Sequence, residues 1–205
     1  MNKKEFIPTI APIVQKVNKE LGLPLFSSVV IAQAILESAW GQSTLMMRAN
    51  AIFGIKATRD WKGKVYNAKT KEFYDKYIST VATFRAYDSL EDSIRDYFKL
   101  ITSLSRYKKA IHSDSPLECI TAIKNGGYAT SPTYIQNIMS VINSNNLTTY
   151  DRVNTPQVTY VVKAGDNLSK IAKMYNTTWQ KIYDKNKGVI GNNPNLIRPG
   201  QELLI

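Results

Sequence analysis

The chain has 205 residues, 43% hydrophobic and 21% charged, with ten Gly and eight Pro spread along it. That balance excludes collagen-like, low-complexity and wholly disordered chains and leaves room for a real core. Lys and Arg number 27 against 16 Asp and Glu, a net charge of +11, so an anionic partner is expected: nucleic acid, acidic membrane or cell-wall polymer.

One Cys (Cys119) and one His (His112) exclude an intramolecular disulfide, Cys-rich zinc sites and two-His metal motifs, so no metal or cofactor is expected. Two lysines open the chain, but Glu5, two prolines, Gln15 and Lys16 leave no apolar run behind them, and no signal peptide is expected. The most apolar stretch, Leu21 to Met47, is broken by Ser27, Ser28, Gln33, Glu37, Ser38, Gly41 and Gln42. It falls short of the roughly 18 uninterrupted apolar residues of a membrane span.

In chain order, Phe6, Ile10, Ile13, Val14, Val17 and Leu21 recur at helical spacing and predict an amphipathic first helix. Ser27 to Trp40 is apolar nearly all round, starts at serines able to cap it and ends before Gly41, the pattern of a buried central helix. From Trp61 to Tyr87 lysines, aromatics and β-branched residues take over, with partial alternation from Tyr77 to Phe84, which predicts a small β-hairpin lobe. Ser89 with Asp92 three residues on starts the next helix, whose stripe is Leu90, Ile94, Tyr97, Phe98, Ile101 and Leu104. Ser115-Pro116-Leu117-Glu118 starts another that ends at Asn125-Gly126-Gly127, and Ser131-Pro132 opens one carrying Ile135, Ile138, Met139 and Ile142. Residues 144–157, rich in Asn, Thr and Ser, read as a linker. Beyond it lie an alternating strand (Val158, Tyr160, Val162), a turn at Ala164-Gly165-Asp166, two helical patterns and a closing strand from Glu202 to Ile205. The predicted organisation is a mainly helical domain at 1–143, a linker at 144–157 and a β-α-α-β module at 158–205. Net charge divides as +7 before residue 158 and +4 after it, so neither part is a basic tail.

Glu37 is the only charged residue between Glu20 and Arg48, on the most apolar helix of the chain. Burial there raises a carboxyl pKa, as a general acid near neutral pH requires; the competing reading is a structural Glu paired with an arginine or a helix N-terminus. Gln33, one turn earlier on the same face, is placed to hydrogen-bond Glu37 or a substrate.

The segments AQAILESAWGQS (Ala32 to Ser43), NAIFGIK (Asn50 to Lys56), ATFRAYDSLEDSI (Ala82 to Ile94) and GGYATSPTYIQNI (Gly126 to Ile138), in that order, resemble the peptidoglycan N-acetylglucosaminidase domain of glycoside hydrolase family 73. The resemblance covers about Phe6 to Asn143. It implies a lysozyme-like helical lobe with a small β-lobe, the glycan in the cleft between them, and Glu37 as proton donor to the glycosidic oxygen. Most glycosidases need a second carboxylate, substrate assistance by an acetamido group being the exception. Asp60, Glu72, Asp75 and Asp88 are the candidates; Thr70-Lys71-Glu72 matches the family's Thr-x-Glu and makes Glu72 the choice over a merely solvated strand charge. Tyr128 matches a family tyrosine near the point of cleavage. Trp40, Asn50 and Phe53 are substrate-binding candidates, with core packing for the rings and loop ordering for Asn50 as the competing readings. Ala51 stands where many relatives carry a second Asn. His112 reads as an exposed loop residue and Cys119 as a small core residue.

The C-terminal segment, TYVVKAGDNLSKIAKMYNTTWQKIYDKN followed by NPNLIRPGQELLI, resembles a LysM domain along its whole length. Carried over, the glycan groove falls between Gly165, Asp166, Asn167 and Leu168 on one side and Pro194, Asn195, Leu196 and Ile197 on the other. Turn and strand-entry chemistry is the competing reading of those residues. Together the resemblances imply an α+β protein that cleaves the β-1,4 bond on the reducing side of N-acetylglucosamine, held on peptidoglycan by LysM. It is expected as a monomer of phage-endolysin or autolysin type, without nucleic acid or membrane insertion. Muramidase or lytic transglycosylase activity on the same scaffold, and a wall-binding protein without catalysis, are the alternatives.

Overall fold

The computed structural model describes residues 2–22, 25–74, 76–153 and 159–205; the side chains of 70–74, 76–79, 152 and 153 are outside the described set. Two compact units divide the chain, Met1–Asn154 and Thr155–Ile205.

In the first unit α1 (Lys3–Leu21) opens with a capping box between Asn2 and Glu5 and closes on left-handed Gly22. Pro8 and Pro12 lie inside it, four residues apart on its exposed face. Phe6, Ile10, Val14 and Val17 form the opposite, fully buried face. Helix α2 (Ser27–Glu37) is buried at every position from Ser27 to Ile35. The expected serine cap is absent: Phe26 is the N-cap, and the Asp151 carboxylate, from more than a hundred residues away, accepts the Ser28 N–H at 2.7 Å. The helix also stops at Glu37, three residues short of the expected end, because Ala39, Trp40 and Gly41 all take positive φ and turn the chain away. Gly41 has little choice, since a Cβ there would stand 3.1 Å from the Phe6 ring. A short α3 (Thr44–Ala49), capped by Ser43, follows without having been foreseen.

The predicted hairpin is present as antiparallel β1 (Val65–Tyr74) and β2 (Lys76–Arg85), with Val65 opposite Arg85. Its base is tied down. Arg85 N–H donates to the Ile55 carbonyl, and its guanidinium lies on the Trp61 ring. The same guanidinium donates to both carboxylate oxygens of Asp96 at 2.9 and 3.1 Å, where Tyr87 adds a 2.7 Å bond. Asp96 belongs to α4 (Leu90–Ser103), which starts at the expected Ser89–Asp92 cap and buries Ile94, Tyr97, Phe98 and Ile101.

A 3-10 turn (Ser105–Tyr107) and α5 (Lys108–Ile111) lead to α6 (Pro116–Asn125) and α7 (Tyr134–Ser144). Ser115 caps α6 as expected, but the Glu118 carboxylate accepts the Asp114 N–H rather than closing a capping box. Cys119 is fully buried in α6, where desolvation pushes its thiol up to about 11, and His112 is exposed. The expected linker needs correction over its first ten residues. Leu147–Val153 is a 3-10 helix belonging to this unit, with Leu147 fully buried and the Tyr150 carbonyl accepting from Gln15. Polar composition misleads there because Asn, Thr and Asp are consumed by local bonds and by the distant cap on α2.

The second unit pairs β3 (Thr159–Val161) with β4 (Glu202–Leu204), and carries α8 (Leu168–Met174), α9 (Trp179–Lys185) and a third short helix, α10 (Lys187–Ile190). Its core is Val162, Leu168, Ile171, Ala172, Ile182, Ile190 and Leu203. Buried Asn186 locks helices to sheet, donating to the Ile182 and Leu204 carbonyls and accepting the Leu204 N–H. Val158 lies outside the described residues.

Candidate functional site

Glu37 is the last residue of α2, and the left-handed turn that follows leaves it at the surface. The sequence expectation of a buried Glu is therefore corrected: the residue is exposed, yet protein atoms crowd its carboxyl, and the resulting desolvation raises its pKa. The negative end of the α2 dipole acts in the same direction. A hydrogen bond from Tyr134 Oη to Glu37 Oε1, 2.9 Å, opposes the shift and fixes the carboxyl.

Behind that bond lies a buried chain of donors and acceptors. Gln33 Nε2 donates to Tyr134 Oη at 3.0 Å, and the Tyr97 hydroxyl donates to Gln33 Oε1. Three elements meet here: α2 supplies Gln33 and Glu37, α4 Tyr97, and α7 Tyr134 as its first residue. Gln33 is completely buried, so it does not meet a ligand and reaches Glu37 only through Tyr134, a correction to its expected substrate role. Tyr134 is missed by sequence reading, although it sits six residues beyond Tyr128 in the same segment, at a helix start. Burial pushes the Tyr97 and Tyr134 hydroxyls well above the usual phenol range, so both remain donors.

The structure brings Tyr128 to the same place. Its ring lies edge-on to Tyr97, centroids 5.9 Å apart, and tilted against Tyr134 at 6.3 Å. Its hydroxyl is buried and has no hydrogen-bond partner among the described residues. An unpaired buried hydroxyl costs about 1–3 kcal/mol; closed off from solvent, it does not meet a ligand, a correction to the expected catalytic role of Tyr128.

Other candidates fall elsewhere. Phe53 is in the core, stacked on Tyr97 with centroids 4.2 Å apart, and is unavailable to a sugar. Trp40 is half-buried, edge-on to Phe6 with the Lys3 ammonium over its ring. Asn50 takes φ +51° as the C-cap of α3 and donates from Nδ2 to the carbonyls of Tyr87 and Asp88, which makes it a loop organiser. Ala51 is buried beside Ala49 and Tyr87. Asp88 is exposed and paired with Lys64, and Asp60 is exposed. Glu72 lies on β1 opposite Ile78, its side chain outside the described residues, and Asp75 is likewise outside them. Among the described residues no group of three or more His, Cys, Asp or Glu could hold a metal.

In the second unit four of the eight expected residues, Asn167, Leu168, Pro194 and Asn195, line one groove of about 400 Å³, joined by Ser169 and Trp179. Trp179, 39% exposed at the start of α9, was not foreseen; a large ring left open at a helix start was the available signal. Gly165, Asp166, Leu196 and Ile197 do not line it. Asp166 instead holds its turn, accepting from the Lys163 N–H and from Tyr160 Oη at 2.8 Å each, which lowers its pKa. Ile197 packs on the module core and Leu196 is exposed.

Residues 11–147 match the glucosaminidase family model, described as mannosyl-glycoprotein endo-beta-N-acetylglucosaminidase. The chain belongs to the glucosaminidase family. Residues 160–205 match the LysM domain. The peptidoglycan hydrolase FlgJ of Vibrio parahaemolyticus is 34% identical over 143 residues, 67% of this chain and 46% of that protein. The autolysin of Enterococcus faecalis is 32% identical over 231 residues, 98% of this chain but 30% of its own length. Thus the chain spans less than half of either relative. The catalytic domain of the autolysin Auto from Listeria monocytogenes superposes with a TM-score of 0.64 at 32% identity, covering 72% of this chain and 86% of that one. The helical unit with its hairpin is therefore the lysozyme-like glucosaminidase fold.

Proposed function

We propose that this protein is a peptidoglycan hydrolase, an endo-β-N-acetylglucosaminidase that cleaves the GlcNAc-β-1,4-MurNAc bond and is held at the bacterial cell wall by its LysM module. The observation that carries the proposal is Glu37 itself. It is a surface carboxyl with its pKa raised by desolvation and its orientation fixed by Tyr134. A raised pKa favours the protonated form that can donate to a glycosidic oxygen. The proton passes to that oxygen as the C1–O bond breaks, and the sugar ring takes up oxocarbenium-like charge. Glu72, on the hairpin, is the proposed base that removes a proton from the attacking water. Tyr128 packs against Tyr97 and Tyr134 and so supports the ring that orients Glu37. The module's groove, with Trp179 as a ring for a sugar face, supplies retention on the wall, and the protein acts as a monomer.

Glu37→Gln tests the assignment. Turnover of soluble glycan falls by about 10²-fold or more, the scale of lost general acid catalysis, while folding and wall binding persist. Turnover close to that of the unaltered protein removes Glu37 from the mechanism.

A further inference from the structure

The first unit carries a cavity of about 910 Å³, at the upper end of the range typical of ligand sites, whose lining includes none of Gln33, Glu37, Tyr97, Tyr128 and Tyr134. Its basic wall comes from one short stretch, the 3-10 turn and α5, which contributes Arg106, Lys108, Lys109 and His112, all exposed. The facing wall is α6, with Thr121 and Asn125 offering a hydroxyl and an amide. Glu118 is the acid in the lining, and its carboxylate already accepts the Asp114 N–H at 2.9 Å.

The walls are held close by Gly126. A Cβ at that position would stand 2.4 Å from the Tyr107 ring and 2.9 Å from the Arg106 carbonyl, so the end of α6 lies directly on the turn that presents Arg106. Among the described residues Arg106, Lys108 and Lys109 make no ion pair, whereas Arg85 and Arg95 of the same unit are held by carboxylates. Arg106, Lys108 and Lys109 outnumber Glu118, the acid in the lining, and leave the groove net positive, a surface that attracts an anion.

We propose that this groove binds a chain of phosphodiesters without bases, of the polyol-phosphate kind, independently of the glycan site. An Arg fork with lysines and neutral donors suits phosphate oxygens, and several cations in one open groove suit a repeating polyanion better than a single ion. A nucleic acid shares the charge but needs rings on which bases stack. Among the described residues no aromatic side chain lines the groove, and Tyr107, whose ring lies under the Arg106 guanidinium, is 1% exposed.

The test measures binding of fluorescent poly(glycerol phosphate) to the full chain at low salt, with oligo(dT) and poly-glutamate of matched charge as comparators. The variant Arg106→Gln/Lys108→Gln/Lys109→Gln is expected to lose roughly 10-fold or more in affinity while retaining glycan turnover. A variant with Lys62, Lys163 and Lys173 changed to Gln, which removes the same charge from elsewhere, is expected to bind within about twofold of the parent. Equal losses in the two variants overturn the site in favour of general electrostatic attraction. Equal or tighter binding of oligo(dT) or poly-glutamate overturns the assignment to a base-free phosphate chain.

Discussion

Tyr134→Phe deletes one oxygen from the link between the buried network and the surface carboxyl. Two bonds vanish together: Glu37 Oε1 loses its 2.9 Å donor and Gln33 Nε2 loses its 3.0 Å acceptor. Gln33 is fully buried, so its orphaned amide finds no water, and stability falls by about 1–3 kcal/mol, measurable by urea denaturation. The catalytic effect has a separate signature. The Tyr134 bond lowers the Glu37 pKa against the larger, opposite effect of desolvation, so removing it moves that pKa further up. A general acid works while protonated; activity is lost as pH rises through its pKa, and the alkaline limb of the pH–rate profile therefore shifts to higher pH in the variant. At the optimum, kcat on soluble glycan falls about 10- to 100-fold because the carboxyl is no longer held, while KM changes little. A variant that is destabilised but shows an unmoved alkaline limb and kcat within about twofold refutes the positioning role.

Glu72→Gln is expected to lower turnover by about 10²-fold with little change in KM, and azide to restore part of it by replacing water; full activity would assign that step to the substrate's acetamido group. Trp179→Ala is expected to weaken sedimentation with purified cell wall by roughly tenfold and to spare hydrolysis of soluble fragments, whereas unchanged sedimentation would remove the ring from the groove's function. Asp96→Asn leaves Arg85 facing a neutral partner at a site where both side chains are about 15% exposed, and is expected to cost about 2–4 kcal/mol in chemical denaturation. A cost below about 0.5 kcal/mol would show that the hairpin base is anchored by other contacts.

The helices legible in the sequence were those with a cap and a stripe. Ser89 and Ser115 are the clearest, because capping depends on atoms three residues apart. Glu37 was legible for a related reason: a lone charge in an apolar run is anomalous without any tertiary knowledge. Long-range partners were not legible. Asp151 caps α2 across more than a hundred residues, so a stretch that reads as linker is part of the core. Tyr97, one more apolar position in a stripe, and Tyr134, a residue after a Ser-Pro start, become a unit only when α4 and α7 meet at Gln33. The turn after Glu37 was hidden because Ala39 and Trp40 take left-handed conformations that their side chains disfavour.

The central claim concerns which bond is cut, and the chemistry of the new chain end tests it most directly. Purified peptidoglycan digested with the protein is reduced with borohydride and the labelled terminal sugar identified. Glucosaminitol is the predicted product, absent from a parallel digest with Glu37→Gln. Muramitol, or a non-reducible anhydro sugar, would contradict the glucosaminidase assignment and make the same carboxyl the acid of a muramidase or a transglycosylase.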